Sequence, residues 1–351
     1  MNRCPSPRSM RSWIASCSGV SSTVIPPSSR TRARLAASRT RAPRLPRRVW
    51  NSGARRAVTD CDDASGICGP DARGWTERKG DAHMCRLLAH ASPTPVTTRE
   101  VIGDASCHEW QRLGRLHTDG WGTAWLDGDE VRRYRDAARG LDNPDLTDAL
   151  GDTPSRARLT HLRLATEGFA TRVQNTHPFR VGDIVLAHNG SVTPYAQLRE
   201  KVTDAELARV GGETDTAVVF ALILRRHEAG EPLFDAVTAT VSELRGEFPT
   251  SALNLLVLSP DELIAVHANE GAPIPHELFE ESGLGDDLPA GHVDHYYQLS
   301  WRRSEDGSIA VTSSGLTGDG WNRMAPETAV RVDLSTLQVD RRELLGATLA
   351  A

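Results

Sequence analysis

The sequence predicts an α+β fold in which helices and two β-sheets pack as layers. Short apolar or alternating segments, typical of strands, occupy both the beginning and the end of the region 85–351. Two amphipathic segments, typical of helices, lie between them over 215–229 and 233–244. Strands grouped before and after a block of helices indicate an α+β architecture rather than alternating βαβ units.

The first group of strands is predicted from short apolar runs and one turn signal. Asp127-Gly128 is a turn dipeptide, so the two segments that flank it are expected to form a hairpin. Runs of apolar and β-branched residues elsewhere in this half predict further strands. The predicted strands cover 85–89, 122–126, 131–136, 158–166 and 183–188.

The helices follow, and strands return after them. Thr193 as N-cap and Pro194 at the first helical position predict a helix over 195–202. In 215–229 and 233–244 apolar residues recur at helical spacing, which predicts one buried face on each helix. The final strands are predicted at 252–258, 263–267, 308–313, 329–333 and 338–341.

The first 84 residues differ from the rest in charge and in cysteine content. They carry 16 Lys and Arg against 6 Asp and Glu, whereas residues 85–351 carry 25 against 40. Such an asymmetry marks two segments of different origin. Four of the six cysteines also lie in the first segment, which leaves the body with Cys85 and Cys107. A body so poor in cysteine is expected to work in a reducing compartment, the cytoplasm.

Residues 1–84 are predicted to be a disordered basic leader, because Arg-, Ser- and Pro-rich sequence cannot bury enough apolar surface to offset its ordering entropy. Four interpretations are open: a transit peptide, a nucleic-acid-binding arm, a propeptide removed before Cys85, or a start codon assigned too far upstream. The last is favoured, because translation from Met84 followed by removal of that methionine would leave Cys85 first. Residues 85–351 are then expected to form one domain.

The composition of residues 85–351 argues against two kinds of partner. The acidic body does not suit a nucleic acid. This region has no apolar run of about 18 residues, so no membrane span is predicted. His292 and His295 offer too few ligands for a metal site, and neither a metal nor a cofactor is expected.

Cys85 is the candidate nucleophile. A thiolate attacks a carbonyl carbon readily, but a thiol with a pKa of about 8.5 is mostly protonated at neutral pH. If Cys85 is the first residue, its own α-amine, with an ordinary pKa of about 8, can take the thiol proton and later pass it to departing ammonia. The alternative is a buried, inert cysteine on a core strand.

Asn189 and Gly190 are the candidate oxyanion donors. Attack on an amide builds negative charge on its oxygen, and the Asn189 side-chain amide and the Gly190 backbone N–H can both donate to that oxygen. The alternative is a strand end closed by an Asn-Gly turn. His188, which precedes the pair, is assigned to the substrate-binding set.

The charged ends of an amino-acid substrate need partners, because an unpaired charge is costly to bury. Arg163 offers a guanidinium fork to a carboxylate, and Thr166 adds a hydroxyl donor. Asp215 offers an acceptor to an ammonium group. The alternatives are a surface strand charge for Arg163 and a helix N-cap for Asp215.

Six motifs, taken in order, resemble those of the class-II glutamine amidotransferase domain, an N-terminal-nucleophile hydrolase. They are MCRLLA at 84–89, DGWG at 119–122, HLRLATEG at 161–168, THPF at 176–179, AHNG at 187–190 and GETDT at 212–216. The resemblance covers about 85–270, and the tail 313–332 further resembles stand-alone bacterial members. It implies a four-layer αββα sandwich, and it implies that Cys85 forms a thioester beside an oxyanion hole of Asn189 and Gly190.

The resemblance also implies a substrate clamp, in which Arg163 and Thr166 hold the carboxylate of glutamine and Asp215 holds its ammonium group. Glu167 stands where the sugar-amidating branch often has histidine, which puts a role for that position in doubt. No segment predicts a synthase domain, so an ammonia-accepting synthase is expected to be a separate subunit.

Three functions remain open at this stage. The first is a glutaminase or amidotransferase acting on glutamine. The second is a hydrolase of a larger γ-glutamyl compound, since the MCR start and the DGWG motif also resemble the ergothioneine-pathway γ-glutamyl hydrolase and glutathione-degrading relatives. The third is a catalytically silent binding domain, in which Cys85 stays internal.

Overall fold

The computed structural model describes residues 85–165, 170–289, 292–316, 318 and 320–344. The predicted leader, residues 1–84, and the candidate substrate-binding Thr166 therefore lie outside the described residues, as does Glu167.

The described residues contain strands and helices, whose bounds follow in chain order. The strands are β1 (Arg86–Val96), β2 (Trp121–Asp127), β3 (Glu130–Asp136), β4 (Ser155–Leu162), β5 (Phe179–Val181), β6 (Ile184–Asn189), β7 (Asn254–Leu258), β8 (Glu262–His267), β9 (Leu299–Arg303), β10 (Ile309–Ser313), β11 (Asn322–Arg323), β12 (Thr328–Asp333) and β13 (Val339–Glu343). The helices are α1 (Thr98–Ile102), α2 (Asp104–Arg112), α3 (Pro144–Gly151), α4 (Tyr195–Arg199), α5 (Asp204–Val210), α6 (Asp215–Glu228), α7 (Leu233–Glu247) and α8 (His276–Glu281).

The strands of the described region form two antiparallel sheets. The first sheet has seven strands in the order β11-β9-β10-β1-β4-β2-β3, and the second has six in the order β13-β12-β8-β7-β6-β5. Strand β1 is internal to the first sheet, with Leu88 opposite Thr312 on one side and Thr160 on the other. Strand β6 is internal to the second sheet, between β7 and β5. Both strands that carry the candidate site are therefore held by hydrogen bonds on each side.

The two sheets pack face to face, and helices cover both outer faces. Alternation along β1 sends Leu87 and Ala89 into the core between the sheets, and Leu88 toward helices α1–α3. On the far side, helices α4–α7 pack on the outer face of the second sheet, where Val219 and Phe220 of α6 are fully buried. The layers run helix, sheet, sheet, helix. This arrangement confirms the predicted α+β class and the αββα sandwich.

The local signals succeeded where a turn or a helical period is strong. The predicted hairpin of β2 and β3 forms, and its loop is Gly128 and Asp129, since Asp127 still pairs with Glu130. Gly128 has a φ of +66° that suits glycine. Helices α6 and α7 lie where periodicity placed them. Helices α1–α3 had no specific prediction, because each is short and its apolar face is narrow.

Two predicted boundaries are wrong. The strand predicted over 158–166 ends at Leu162, because the next residues leave the sheet to form one wall of the candidate site. Thr193 is not an N-cap, since helix α4 begins at Tyr195 and Pro194 precedes it with an extended backbone. No side-chain cap closes that helix start.

A buried ion pair ties helix α7 to the start of strand β12. Arg245 and Glu327 are each 6% exposed, and two contacts of 3.2 Å join the guanidinium to the carboxylate. Arg245 also donates to the carbonyl oxygens of Pro249 and Ser251, at 2.7 and 2.6 Å. The pair therefore fixes the loop that leads into β7.

Replacing Arg245 with methionine is expected to lower the free energy of unfolding by about 3–5 kcal/mol, because Glu327 is left charged and buried. Urea denaturation followed by circular dichroism measures the loss. The matched control is Arg226→Met, since Arg226 pairs with Glu243 at the surface and its loss should cost about 1 kcal/mol or less. Equal effects of the two substitutions would contradict this account.

Candidate active site

The candidate nucleophile lies where the two sheets meet at one end. Cys85 directly precedes β1, and Asn189 is the last residue of β6. The backbone nitrogen of Cys85 donates to Asn189 Oδ1 at 3.2 Å, and the thiol lies 3.7 Å from the carbonyl oxygen of Leu164. Cys85 is 4% exposed, so its sulfur faces an enclosed cleft rather than open solvent.

The side-chain amide of Asn189 is oriented by this contact. Because Oδ1 accepts from Cys85, Nδ2 points the other way, and it finds no acceptor among the described residues although it is buried. Buried amide donors are almost always paired, so an unpaired one calls for an explanation such as a catalytic role. An oxyanion formed at the Cys85 thiol would supply the missing acceptor.

Gly190 allows the backbone to approach this site closely. Its φ is +152°, and a Cβ there would collide with the carbonyl oxygen of Ala252. Gly190 and Cys85 line the same cleft. The two predicted oxyanion donors are therefore adjacent to the predicted nucleophile.

The same cleft brings together the predicted clamp residues Arg163 and Asp215. Arg163 follows β4 and is 4% exposed. This burial argues against the alternative that Arg163 is a charge on the surface of a strand. Burial lowers its pKa below the ordinary value of arginine, while the charges of Cys85 and Asp119 act in the opposite direction. Thr166, the third predicted clamp residue, lies outside the described residues.

Asp215 opens helix α6 without capping it. The N-cap is Thr214, whose hydroxyl accepts from the backbone N–H of Ala217, so the N-cap alternative for Asp215 is wrong. Its carboxylate accepts from the backbone N–H of Val192 at 2.9 Å and of Thr216 at 2.8 Å. The carboxylate is thereby held at the wall of the cleft, beside the first turn of the helix.

His188 uses both ring nitrogens inside the protein. Nε2 donates to the carbonyl oxygen of Ala252 at 2.8 Å, and Nδ1 lies 2.9 Å from the hydroxyl of Thr216. Burial lowers its pKa, which keeps the ring neutral. The ring lines the cleft, and its substrate-binding role stays a prediction.

Asp119 supports the site, although the motif DGWG to which it belongs suggests no role for it. Its Oδ2 accepts from the backbone N–H of Ala165 at 2.7 Å, and its own N–H donates to the Arg163 carbonyl at 3.0 Å. The N–H of Arg163 in turn donates to Gly120 at 2.8 Å. The motif thus holds the wall that carries Arg163.

His161 and His177 form a buried pair at the cleft. His177 Nδ1 lies 3.0 Å from His161 Nε2, and the ring centroids are 4.4 Å apart. Burial lowers the pKa of His161 to about 3, so that ring is neutral. His177 lines the cleft together with Cys85.

The environment of the thiol makes a base necessary. Burial raises the pKa of Cys85 to about 11, and the Leu164 carbonyl contact and the charges of Arg163 and Arg86 offset this only in part. At neutral pH the sulfur is therefore protonated. A nucleophilic role requires a group that takes its proton at the moment of attack.

Asn189→Ala is expected to lower kcat by about 10²–10³-fold, because the oxyanion loses one fixed donor. KM should change little, since the amide donates mainly once charge has developed. Steady-state release of glutamate measures both constants, and alkylation of Cys85 confirms that the thiol remains in place. A kcat within about threefold of the wild type would exclude an oxyanion role for Asn189.

Comparison with known proteins decides the family. A family model described as class-II glutamine amidotransferases matches residues 84–338. The chain belongs to the class-II glutamine amidotransferases. This confirms the predicted family and the prediction that the chain is an enzyme.

Two kinds of curated relative resemble this amidotransferase. The isomerizing glutamine–fructose-6-phosphate aminotransferase of Zymomonas mobilis is 34% identical over 181 residues, which cover 50% of this chain and 28% of that protein. The γ-glutamyl-hercynylcysteine sulfoxide hydrolase of Mycobacterium tuberculosis is 27% identical over 196 residues, which cover 52% of this chain and 77% of that protein. The chain thus spans 28% and 29% of the first two aminotransferases that it matches.

Solved structures share the fold of this amidotransferase. A glutamine aminotransferase class-II domain protein from Silicibacter pomeroyi aligns with a TM-score of 0.50 at 20% identity, covering 74% of this chain and 99% of that one. The glutamine phosphoribosylpyrophosphate amidotransferase of B. subtilis aligns with a TM-score of 0.50 at 18% identity, covering 74% and 49%. At these identities the likeness concerns the fold alone.

Two further findings concern the described residues only. None of their helices combines the length and the apolar character needed to cross a membrane. They also hold no group of three or more His, Cys, Asp or Glu side chains arranged to bind a metal ion.

Proposed function

We propose that this class-II glutamine amidotransferase hydrolyses the side-chain amide of glutamine, or of a larger γ-glutamyl compound, through a thioester on Cys85. The observation that carries the proposal is the two-sided contact of Asn189. Its oxygen is bound to the Cys85 nitrogen, while its buried Nδ2 is free of any acceptor among the described residues. The Asn189 side chain thereby orients Cys85 with its oxygen, and its Nδ2 is available to donate to the oxyanion.

The first half of the reaction forms the thioester. The α-amine of Cys85 takes the thiol proton, and the sulfur attacks the γ-carbonyl carbon. The carbonyl oxygen becomes an oxyanion that accepts from Asn189 Nδ2 and from the N–H of Gly190. When the carbonyl reforms, the C–N bond breaks, and the departing ammonia or amine takes the proton held by the α-amine.

The second half releases glutamate. Water gives one proton to the α-amine and attacks the thioester carbon, and the same two donors hold the second oxyanion. Collapse of that intermediate breaks the C–S bond and returns the proton to the sulfur. Arg163, Thr166 and Asp215 hold the α-carboxylate and α-ammonium of the glutamyl group throughout.

The larger γ-glutamyl substrate is the second candidate, and a specific observation favours it. The match to the Mycobacterium tuberculosis hydrolase covers 77% of that protein, whereas the match to the Zymomonas mobilis aminotransferase covers 28%. The γ-glutamyl end would bind in the same clamp, so the difference lies in the group that leaves. If ammonia is that group, a separate synthase subunit is the proposed acceptor.

The proposed working form is a domain of residues 85–351 with Cys85 at its N-terminus. The body has two cysteines in 267 residues, and both are free in the described structure. Free thiols suit a reducing compartment, so the cytoplasm is the proposed location.

Glutamate release from glutamine and from γ-glutamyl peptides is the direct test. Turnover of at least one of them is expected, and the higher kcat/KM identifies the substrate class. Asparagine is the matched control, because it has the same α-groups and its carbonyl lies one methylene short of the thiol. Its kcat/KM should be lower by about 10²-fold or more, since small misplacements of a reacting atom have effects of this size. Release from neither glutamine nor γ-glutamyl peptides would refute the proposed function.

A further inference from the structure

The residue that follows the nucleophile, Arg86, is an arginine buried without a counter-ion. It is 0% exposed, and no carboxylate in the described part of the chain lies within ion-pair distance of it. Its Nε donates to His117 Nε2 at 3.0 Å, and one terminal nitrogen donates to Ser314 Oγ at 3.0 Å. The other terminal nitrogen is buried and finds no acceptor among the described residues.

Tyr296 is the main partner of this guanidinium. The Arg86 guanidinium carbon lies 4.0 Å from the centroid of the Tyr296 ring, which is a cation–π geometry. The carbonyl oxygen of Tyr296 accepts from Arg86 at 3.2 Å and from the Ser314 hydroxyl at 2.8 Å. Both the ring and the main chain of Tyr296 are therefore fixed by Arg86.

The hydroxyl of Tyr296 reaches the nucleophile's own residue. It lies 3.5 Å from the carbonyl oxygen of Cys85 and donates to it. Tyr296 is fully buried in an apolar cluster with Phe279 and Tyr297, so the ring has little freedom to move. A continuous set of contacts thus runs from Arg86 through Tyr296 to the backbone of Cys85.

Packing alone does not account for Arg86. A buried cation without a counter-ion costs several kcal/mol, and an apolar side chain of similar volume would avoid that cost. Successive residues of a strand point to opposite faces, so Arg86 lies on the helix side of the first sheet, away from the cleft. Arg86 is not among the residues that line the cleft with Cys85, so apart from the effect of its charge on the thiol pKa, its influence on the chemistry passes through a neighbour.

A cysteine at the end of a chain has a particular need for such support. It has no preceding peptide bond to fix its orientation, yet its amine and its thiol must both point at the substrate. Besides its place ahead of β1 and the long contact of its thiol with Leu164, Cys85 is held by Asn189 at its nitrogen and by Tyr296 at its carbonyl oxygen. We propose that Arg86 is a positioning residue for Cys85, acting through Tyr296, whose hydroxyl fixes the carbonyl of the nucleophile's own residue.

This inference rests on the proposed function for its first test, a double-mutant cycle on kcat. Arg86→Lys should lower kcat by about 10–100-fold, because one ammonium cannot stack and hold three acceptors at once. Tyr296→Phe, which removes one oxygen atom, should lower kcat about fivefold. KM should stay within about threefold in both variants, since neither residue touches the substrate.

The double-mutant cycle tests whether Arg86 acts on Cys85 through Tyr296. The double variant should be no slower than Arg86→Lys within about twofold, because the hydroxyl is useful only where Arg86 holds it. Arg158→Lys is the matched control: Arg158 is 1% exposed, stacks on Trp125 at 5.1 Å and lies on the same face of the first sheet. Its kcat should be unchanged. The proposal would be overturned if the kcat losses of the two single variants multiplied in the double variant, or if the losses appeared only in KM. A loss of kcat in Arg158→Lys equal to that in Arg86→Lys would overturn it as well.

A second readout needs no turnover, so failure of the proposed function and failure of this inference can be distinguished. The full chain is treated with iodoacetamide, and mass spectrometry compares labelling of Cys85 with that of Cys107, the internal reference. Arg86→Lys and Tyr296→Phe should each raise the Cys85 to Cys107 ratio about threefold or more, because Cys85 is released from its buried position. Arg158→Lys should leave the ratio unchanged. An unchanged ratio in both test variants refutes the positioning role, whether or not glutamate is formed.

Discussion

Replacing Cys85 with alanine is expected to abolish glutamate and ammonia release, with a fall in kcat of about 10⁴-fold or more, as for other nucleophiles. The fold should survive, because the alanine side chain occupies less space than the cysteine and the thiol's hydrogen bond among the described residues is a long one, 3.7 Å to the Leu164 carbonyl. Cys85→Ser should retain only a trace of activity, since a hydroxyl is much harder to ionise than a thiol. Steady-state assays together with circular dichroism measure both properties.

Cys107→Ala is the matched control for this substitution. Cys107 is equally buried, at 4% exposure, but it lies on helix α2 among the residues packed on the outer face of the first sheet. The Cys107→Ala variant should be modestly less stable than the wild type and should keep its kcat. Full turnover by Cys85→Ala, or a parallel loss in Cys107→Ala, would exclude a thioester on Cys85.

Any residue placed before Cys85 is expected to remove most of the activity, by about 10²–10⁴-fold, because the α-amine then becomes an amide nitrogen and cannot act as a base. Three forms are compared: the 351-residue chain, the chain begun at Met84, and that chain with one glycine inserted between Met84 and Cys85. N-terminal sequencing identifies the first residue of each purified form. Activity should follow the presence of Cys85 at the first position.

The pH dependence separates the amine from the thiol. The pKa of the buried thiol is raised to about 11, so a thiol that ionised unaided would make kcat/KM rise up to that pH. If the amine is the base, kcat/KM instead levels off above the amine pKa, ordinarily about 8. A plateau near pH 8 in the active form is expected. Full activity in the glycine-extended form, or a rise that continues to pH 11, would contradict the mechanism.

Local sequence signals predicted those elements that local chemistry decides. The turn that follows Asp127 needs a backbone that glycine adopts easily, and Gly128 has a φ of +66°. The buried faces of helices α6 and α7 follow from a 3.6-residue period. Where the signal was weak, the prediction failed: the strand through 158–166 stops at Leu162, and Thr193 does not cap helix α4.

The candidate site was predicted by residue type more than by geometry. A thiol, an Asn-Gly pair, an arginine and an aspartate were chosen for what amide hydrolysis needs. The alternative role for Asp215 is a helix cap, yet Thr214 is the cap and the Asp215 carboxylate accepts from the backbone N–H of Val192. Asp119 and Arg86 received no role, because their partners are far away in the chain.

The sequence by itself determined the layered α+β class, the family and the set of groups suited to amide cleavage, since periodicity and ordered motifs are properties of neighbouring residues. Only the tertiary structure decided which groups meet. Cys85 and Asn189 lie 104 residues apart and Cys85 and Tyr296 lie 211 apart, yet each pair shares a hydrogen bond. Periodicity specifies which face of a strand is buried, but it does not specify the residue across from it. That residue is selected when sheets and helices pack, because burial removes water and leaves each polar group to find its partner within the protein.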